Sequence, residues 1–198
     1  MRIKVSLILA ALALLSLPAL AQSGNSEVSA NFTGDFQRQA SGFGITDSAT
    51  DSGGFVVNYR YHFNRWSAVE VNYGYTRFTQ FYDTGTYTEA SAQEASFAYL
   101  FTFGVRREAR LHPFVEAGAG ALFFSPINSG TNITGAATQN RAALLYGAGA
   151  SYRLRGNLSA QVGYRGLVYT APDFTVPGQV TNAKTQMAEP YAGITFRF

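Results

Sequence analysis

Acid–base or nucleophilic chemistry in this 198-residue chain would have to come from two histidines, twelve carboxylates and the hydroxyls, because it contains no cysteine. Hydrolysis or acyl transfer needs a nucleophile, a base beside it and an acid that orients the base. His62 instead ends the run Arg60-Tyr61-His62, where charged and aromatic side chains alternate, and His112 directly precedes Pro113 at an expected turn. Neither suits such a set, so no enzymatic activity is expected. Asp47, Asp51, Asp83, Glu89 and Asp173 are scattered through polar segments without the close spacing of an oxygen cage. No metal site and no cofactor are expected. Asn132-Ile133-Thr134 fits a glycosylation acceptor by pattern alone.

The remaining charges are organised differently. Arg60, His62, Glu70, Glu116, Arg153, Arg165, Glu189 and Arg197 sit in segments where apolar residues occupy every second position. That period is the mark of a strand with one apolar face. It recurs eight times, over residues 28–37, 55–63, 69–76, 96–105, 115–123, 144–153, 158–165 and 191–198. In 55–63, for example, Phe55, Val57, Tyr59, Tyr61 and Phe63 alternate with Val56, Asn58, Arg60 and His62. All eight charges fall on the second face, Glu189 by continuing the period of the last segment two residues back.

Alternation alone does not distinguish a soluble sandwich from a membrane barrel. The connections separate them. Segments 64–66, 106–112 and 155–157 are short, whereas 38–54, 79–95, 125–141 and 170–186 are long, polar and rich in Gly, Ser, Thr and Asn. A strict short–long alternation is expected when the two rims of a barrel face different compartments. Aromatics follow the same division. Phe63, Trp66, Phe103, Phe114, Tyr152 and Phe198 lie toward the short turns, and Phe36, Phe55, Tyr75, Phe97, Phe123, Tyr146 and Tyr164 toward the long connections, as two interfacial girdles would.

Residues 1–21 read as a secretory signal. Arg2 and Lys4 precede the apolar run 5–17, and Pro18-Ala19-Leu20-Ala21 supplies small residues for cleavage. A mature domain of residues 22–198 is expected, and loss of Arg2 and Lys4 lowers the formal charge from +3 to +1. That balance points to no nucleic-acid partner. No later segment approaches the roughly 18 apolar residues of a membrane helix, so a membrane location requires a closed barrel.

Two motifs sharpen this. The terminus Tyr191-Ala192-Gly193-Ile194-Thr195-Phe196-Arg197-Phe198 and the segment Pro113-Phe114-Val115-Glu116-Ala117-Gly118-Ala119-Gly120 make residues 26–198 resemble the small outer-membrane β-barrels that include the OmpA transmembrane domain and OmpX. The resemblance implies an all-β, eight-stranded antiparallel up-and-down barrel in the outer membrane, with both termini in the periplasm and four long loops outside. It implies partners as well: outer-membrane lipid and lipopolysaccharide, and the barrel-assembly machinery, which would read Gly193, Phe196 and Phe198. Tyr191 departs from the more polar residue common at its place. No peptidoglycan-binding domain is expected beyond the last strand.

A barrel of eight strands is just wide enough to be filled by side chains or to hold one small ligand. A three-residue turn about Arg65 would set Arg60 opposite Glu70, Asn58 opposite Asn72 and Tyr59 opposite Val71, keeping every face consistent. The inward charges then read as an ion-pair network that plugs the lumen, or as a gated ion path. Inward glycines either make room for Leu100, Leu122, Leu145, Leu167, Tyr169 and Tyr191 or outline a small hydrophobic pocket. The expected role is structural or surface interaction, with a loop ligand met by Phe43, Phe81, Tyr82, Tyr87 and Phe174; a narrow channel or carrier for a small solute is the alternative.

Overall fold

The computed structural model describes residues 25–104, 109–132, 135–176 and 180–198. The expected signal segment 1–21, the end of the fourth predicted strand at Val105, and Ile133 and Thr134 lie outside them. Ten strands form: β1 (Ser26–Gln37), β2 (Ala40–Gly42), β3 (Ile45–Ala49), β4 (Ser52–His62), β5 (Ser67–Tyr82), β6 (Tyr87–Thr102), β7 (Leu111–Thr131), β8 (Gln139–Arg155), β9 (Leu158–Thr170) and β10 (Lys184–Arg197). Among the described residues there is no helix.

Eight of the strands close a barrel. Each long strand pairs antiparallel with the next, β6 pairs with β5, and β10 returns to β1, so no edge of the wall is left open. The pairing of β4 with β5 sets Arg60 opposite Glu70, Asn58 opposite Asn72 and Tyr59 opposite Val71, the register expected from the turn about Arg65. Asn64 Oδ1 closes that turn by accepting from the backbone N–H of Trp66 (2.8 Å) and Ser67 (3.0 Å).

The outer face is apolar and bare: Phe32 is 82% exposed and Phe97 63%, with Val71, Leu144, Val162 and Ile194 alongside. Such a surface is stable only against lipid or a partner. Phe114 is the exception among the girdle aromatics. Its side chain is buried in the lumen rather than set at the interface, with the Arg60 guanidinium 4.9 Å above its ring.

A membrane crossing takes ~9–11 tilted strand residues. β5 and β6 have 16 each, β8 has 17 and β7 has 21, so the wall continues well past the bilayer at the long-connection rim. The expected 79–95 loop is therefore mostly strand: Phe81 still pairs with Tyr87, and only 83–86 turn. Gly85 takes a φ of +80° there, and Tyr82 N–H donates to Thr86 O (2.9 Å). Polar composition hid this extension because a strand above the membrane needs no apolar outer face. Segment 38–54 likewise contains a hairpin, β2–β3, whose two turn residues Phe43 and Gly44 both have positive φ (51° and 77°), the conformation that suits a two-residue turn between twisted strands. β3 then pairs with the outer end of β5 through Asp47↔Tyr82 and Ala49↔Gln80.

Candidate functional site

The lumen is filled in layers. At mid-height a belt of polar side chains links six strands. Gln161 Nε2 on β9 donates to Asn31 Oδ1 on β1 (2.6 Å), and Asn31 Nδ2 donates to Asn58 Oδ1 on β4 (2.5 Å). Asn58 donates to Asn72 on β5 and to Glu70 Oε1 (3.0 Å); Asn72 Nδ2 donates to Ser96 Oγ on β6 (3.1 Å), which donates to Glu94 Oε1 (2.5 Å). Glu94 then pairs with Arg165, back on β9, whose Nε and Nη2 also reach Glu189 Oε2 at 3.0 and 2.6 Å. Gln161 and Arg165 are four residues apart and point inward together, so the belt begins and ends on one strand. Buried polar groups linked in this way meet most of each other's hydrogen-bonding needs and favour a single arrangement; Gln161 Oε1 and Arg165 Nη1 have no partner among the described residues.

Toward the short-turn rim, Arg60 Nη2 pairs with Glu70 (2.7 Å) and Nη1 with Glu27 (3.4 Å). Glu27 also receives His62 Nε2 at 3.1 Å and Arg197 at 3.8 Å. Of the expected charge set, Arg60, Glu70, Arg165 and Glu189 thus form direct pairs, and His62 and Arg197 gather on Glu27. Glu116 is buried, and its Oε1 has no hydrogen-bond partner among the described residues. Arg153 stands apart, exposed at the rim. Sequence reasoning missed Glu27, which precedes the first predicted strand, and Glu94, which fell in the expected 79–95 loop. Inward alternation through Thr88, Ala90, Ala92, Glu94 and Ser96 was the available signal for the latter.

Toward the other rim the lumen turns apolar. Phe78, Leu122, Phe124, Leu145, Leu167, Tyr169 and Met187 are buried together, with Phe124 5.5 Å from the Tyr169 ring and 6.1 Å from Phe78. Phe174 belongs to the same cluster, fully buried, and Tyr82 is nearly so, so neither is the exposed loop-tip residue expected. Tyr82 Oη donates to Pro172 O (3.2 Å), while Gln139 Oε1 accepts from the N–H groups of Asp173 (3.0 Å) and Phe174 (3.3 Å). These bonds fold the last connection into the mouth. Inward glycines make room below: a Cβ on Gly163 would lie 2.6 Å from Cζ of Tyr191, and one on Gly147 would lie 2.5 Å from Glu116 Oε1. Between Thr33, Glu94, Leu122 and Met187 the residual cavity measures only about 10 Å³.

Above the mouth, Asp47 on β3 is buried against Gln80, whose Nε2 donates to Oδ2 (2.7 Å), and Ala40 N–H donates to Oδ1 (3.2 Å). Burial pushes the Asp47 carboxyl up to about 6, against the pull of these two hydrogen bonds.

A closed antiparallel wall, apolar outside and polar within, is a transmembrane β-barrel of the outer-membrane type. The chain belongs to the outer membrane protein beta-barrel domain family, whose family model matches residues 7–196, and it is an outer-membrane protein. Solved structures share the fold at low identity. Neisserial surface protein A is 18% identical, with a TM-score of 0.60 over 89% of this chain and 98% of that one. OprG of Pseudomonas aeruginosa is 11% identical, with a TM-score of 0.62 over 88% and 96%. AlkL, solved in lipid bilayers, is 14% identical, with a TM-score of 0.57 over 88% and 90%. No curated protein matches the chain in sequence.

Proposed function

We propose that this protein is a plugged, non-enzymatic barrel that acts through the face built by its long connections, turned to the outside, with the short turns and both termini in the periplasm. The signal segment 1–21 is removed on export, and Gly193, Phe196 and Phe198 present the last strand to the assembly machinery. The observation that carries the closed-lumen reading is the mid-height belt stacked beneath the apolar cluster of Phe78, Phe124, Tyr169 and Phe174. An ion would have to break charge-assisted hydrogen bonds and then cross a dry layer.

At the outer face, Phe43, Phe81 and Tyr87 are exposed on a rigid scaffold, the last two 6.2 Å apart across the β5–β6 ladder. Asn132 ties this hairpin to the neighbouring connection by accepting from Tyr87 N–H (2.7 Å) and donating to Gly85 O (3.3 Å). Exposed aromatics on rigid supports are the usual anchors of protein recognition. For the non-enzymatic reading, the support is the setting of the histidines. His62 contacts Glu27, and His112 lies at the short-turn rim with no hydrogen-bonded side-chain partner among the described residues that would make it a general base. Single-channel recording in planar bilayers tests the closed lumen. The wild type is expected to show no steady conductance, and a steady opening that changes with Arg60→Ala or Glu70→Ala would refute it.

A further inference from the structure

The lumen is not filled to both ends. Beneath Arg60 and Phe114 it opens into a vestibule of about 320 Å³ at the short-turn rim, a volume within the range of small-ligand sites. Among the described residues four arginines line it, Arg60, Arg65, Arg153 and Arg197, with two histidines, against one carboxylate, Glu27. Arg60 is already committed to Glu70, and Glu27 is shared among Arg60, His62 and Arg197. Arg65 and Arg153 have no ion-pair partner among the described residues. They reach the vestibule from different sides, Arg65 from the turn between β4 and β5 and Arg153 from β8.

Hydroxyl donors complete the ring: Thr102 on β6, Ser151 on β8 and Ser159 on β9. Donors converging from several strands, rather than from one plane, suit an acceptor with oxygens in three dimensions. A planar carboxylate would satisfy only part of such a ring, whereas the tetrahedral phosphorus of a phosphate ester holds its oxygens out of one plane, a monoester with three terminal oxygens and up to two negative charges, a phospholipid diester with two and one. Arginine forks are the usual partners of that group.

We propose that this vestibule is a binding site for a phosphate group, with Arg65 and Arg153 as its principal ligands and Thr102, Ser151 and Ser159 as additional donors. The group is carried either by a small soluble phosphate ester or by a phospholipid headgroup folded in from the adjacent leaflet. The site needs only the vestibule and not a closed lumen, so its failure and that of the plugged-barrel reading are read from separate assays.

The test uses the whole folded barrel in two media. In zwitterionic detergent, glycerol phosphate is titrated calorimetrically. In nanodiscs of phosphatidylcholine with and without phosphatidylglycerol, phosphorus NMR detects immobilised headgroups. One saturable site is expected, weakened about tenfold or more by Arg153→Gln and by Arg65→Gln, each of which removes a charge-assisted pair. Arg155→Gln removes a charge from the same rim outside the vestibule and is expected to leave binding unchanged. Unboiled gel migration checks that each variant is folded. Saturation by glycerol phosphate identifies a soluble ester as the carrier; an Arg153-dependent signal in phosphatidylglycerol discs alone identifies the headgroup. The proposal is overturned by the absence of Arg153-dependent phosphate binding in both media, by an equal loss in Arg155→Gln, or by citrate binding as tightly as the phosphate ester.

Discussion

Replacing Arg165 by methionine keeps most of the side-chain stem and removes the guanidinium from the most buried cluster in the lumen. Arg165 and Glu189 are nearly fully buried, 2.6 Å apart, and Glu94 pairs with the same Nη2. Breaking a buried pair by deleting one partner costs about 3–5 kcal/mol, because the other charge stays desolvated. The two carboxylates do not share that loss equally. Glu94 keeps the hydrogen bond from Ser96 Oγ, whereas among the described residues only Arg165 donates to Glu189. Most of the destabilisation therefore belongs to Glu189, and Arg165→Met with Glu189→Gln should recover more than Arg165→Met with Glu94→Gln. Urea titration of folding into phospholipid vesicles reads the difference through Trp66, the single tryptophan, which lies at the short-turn rim. A shift of about 3 kcal/mol moves the folding equilibrium by roughly two decades. A change in Arg165→Met below about 1 kcal/mol, within the ordinary range of point substitutions, would refute the reasoning.

Two further predictions concern the rims. Because burial raises Asp47 from the usual 3.8 to about 6 in the folded protein, its contribution to docking the β2–β3 hairpin is fully present below about pH 3.8 and lost as pH rises through about 6. Hydrogen exchange at residues 40–49, corrected for intrinsic rates, should show the hairpin loosening over that window. Asp47→Asn should abolish the dependence, since an amide can still accept from Ala40 N–H and can donate to Gln80 Oε1, which lacks a partner among the described residues; unchanged protection in the wild type from about pH 4 to about pH 8 would count against it. Deletion of Phe198 removes a backbone N–H that donates to Ser26 O (2.9 Å) and a ring stacked 6.2 Å from Phe196. Folding into vesicles should change by no more than about 1 kcal/mol while the amount assembled in cells falls severalfold, and equal effects in both settings would argue against recognition by assembly machinery.

The wall was legible in the sequence because lipid on one side and packed polar groups on the other impose a strict two-residue period. A three-residue turn was enough to place Arg60 opposite Glu70. The period lost its apolar partner where β5, β6 and β7 leave the bilayer, and there the reading stopped too early. Glu94, Phe78 and Phe124 escape the reading, and Tyr82 reads as a loop tip, for that one reason, since water on the outer face permits Arg77, Thr79 and Glu89 between inward residues. Phe174 was unreadable for another. Its burial depends on a connection folding back over the mouth, held by Gln139 some 35 residues away, which no local pattern encodes.

The strands that outrun the membrane also bear on the kinetics of recognition. An exposed ring on a free loop must be brought to rest when a partner docks, and that ordering costs about 0.5–1.5 kcal/mol for each immobilised side chain. Phe81 and Tyr87 stand on a paired ladder closed by a four-residue turn and braced by β3, so much of that ordering has been met during folding. If this face binds a partner, as proposed, encounter there should be a rigid-body event, with selectivity expressed chiefly in how long the partner stays rather than in how quickly it arrives.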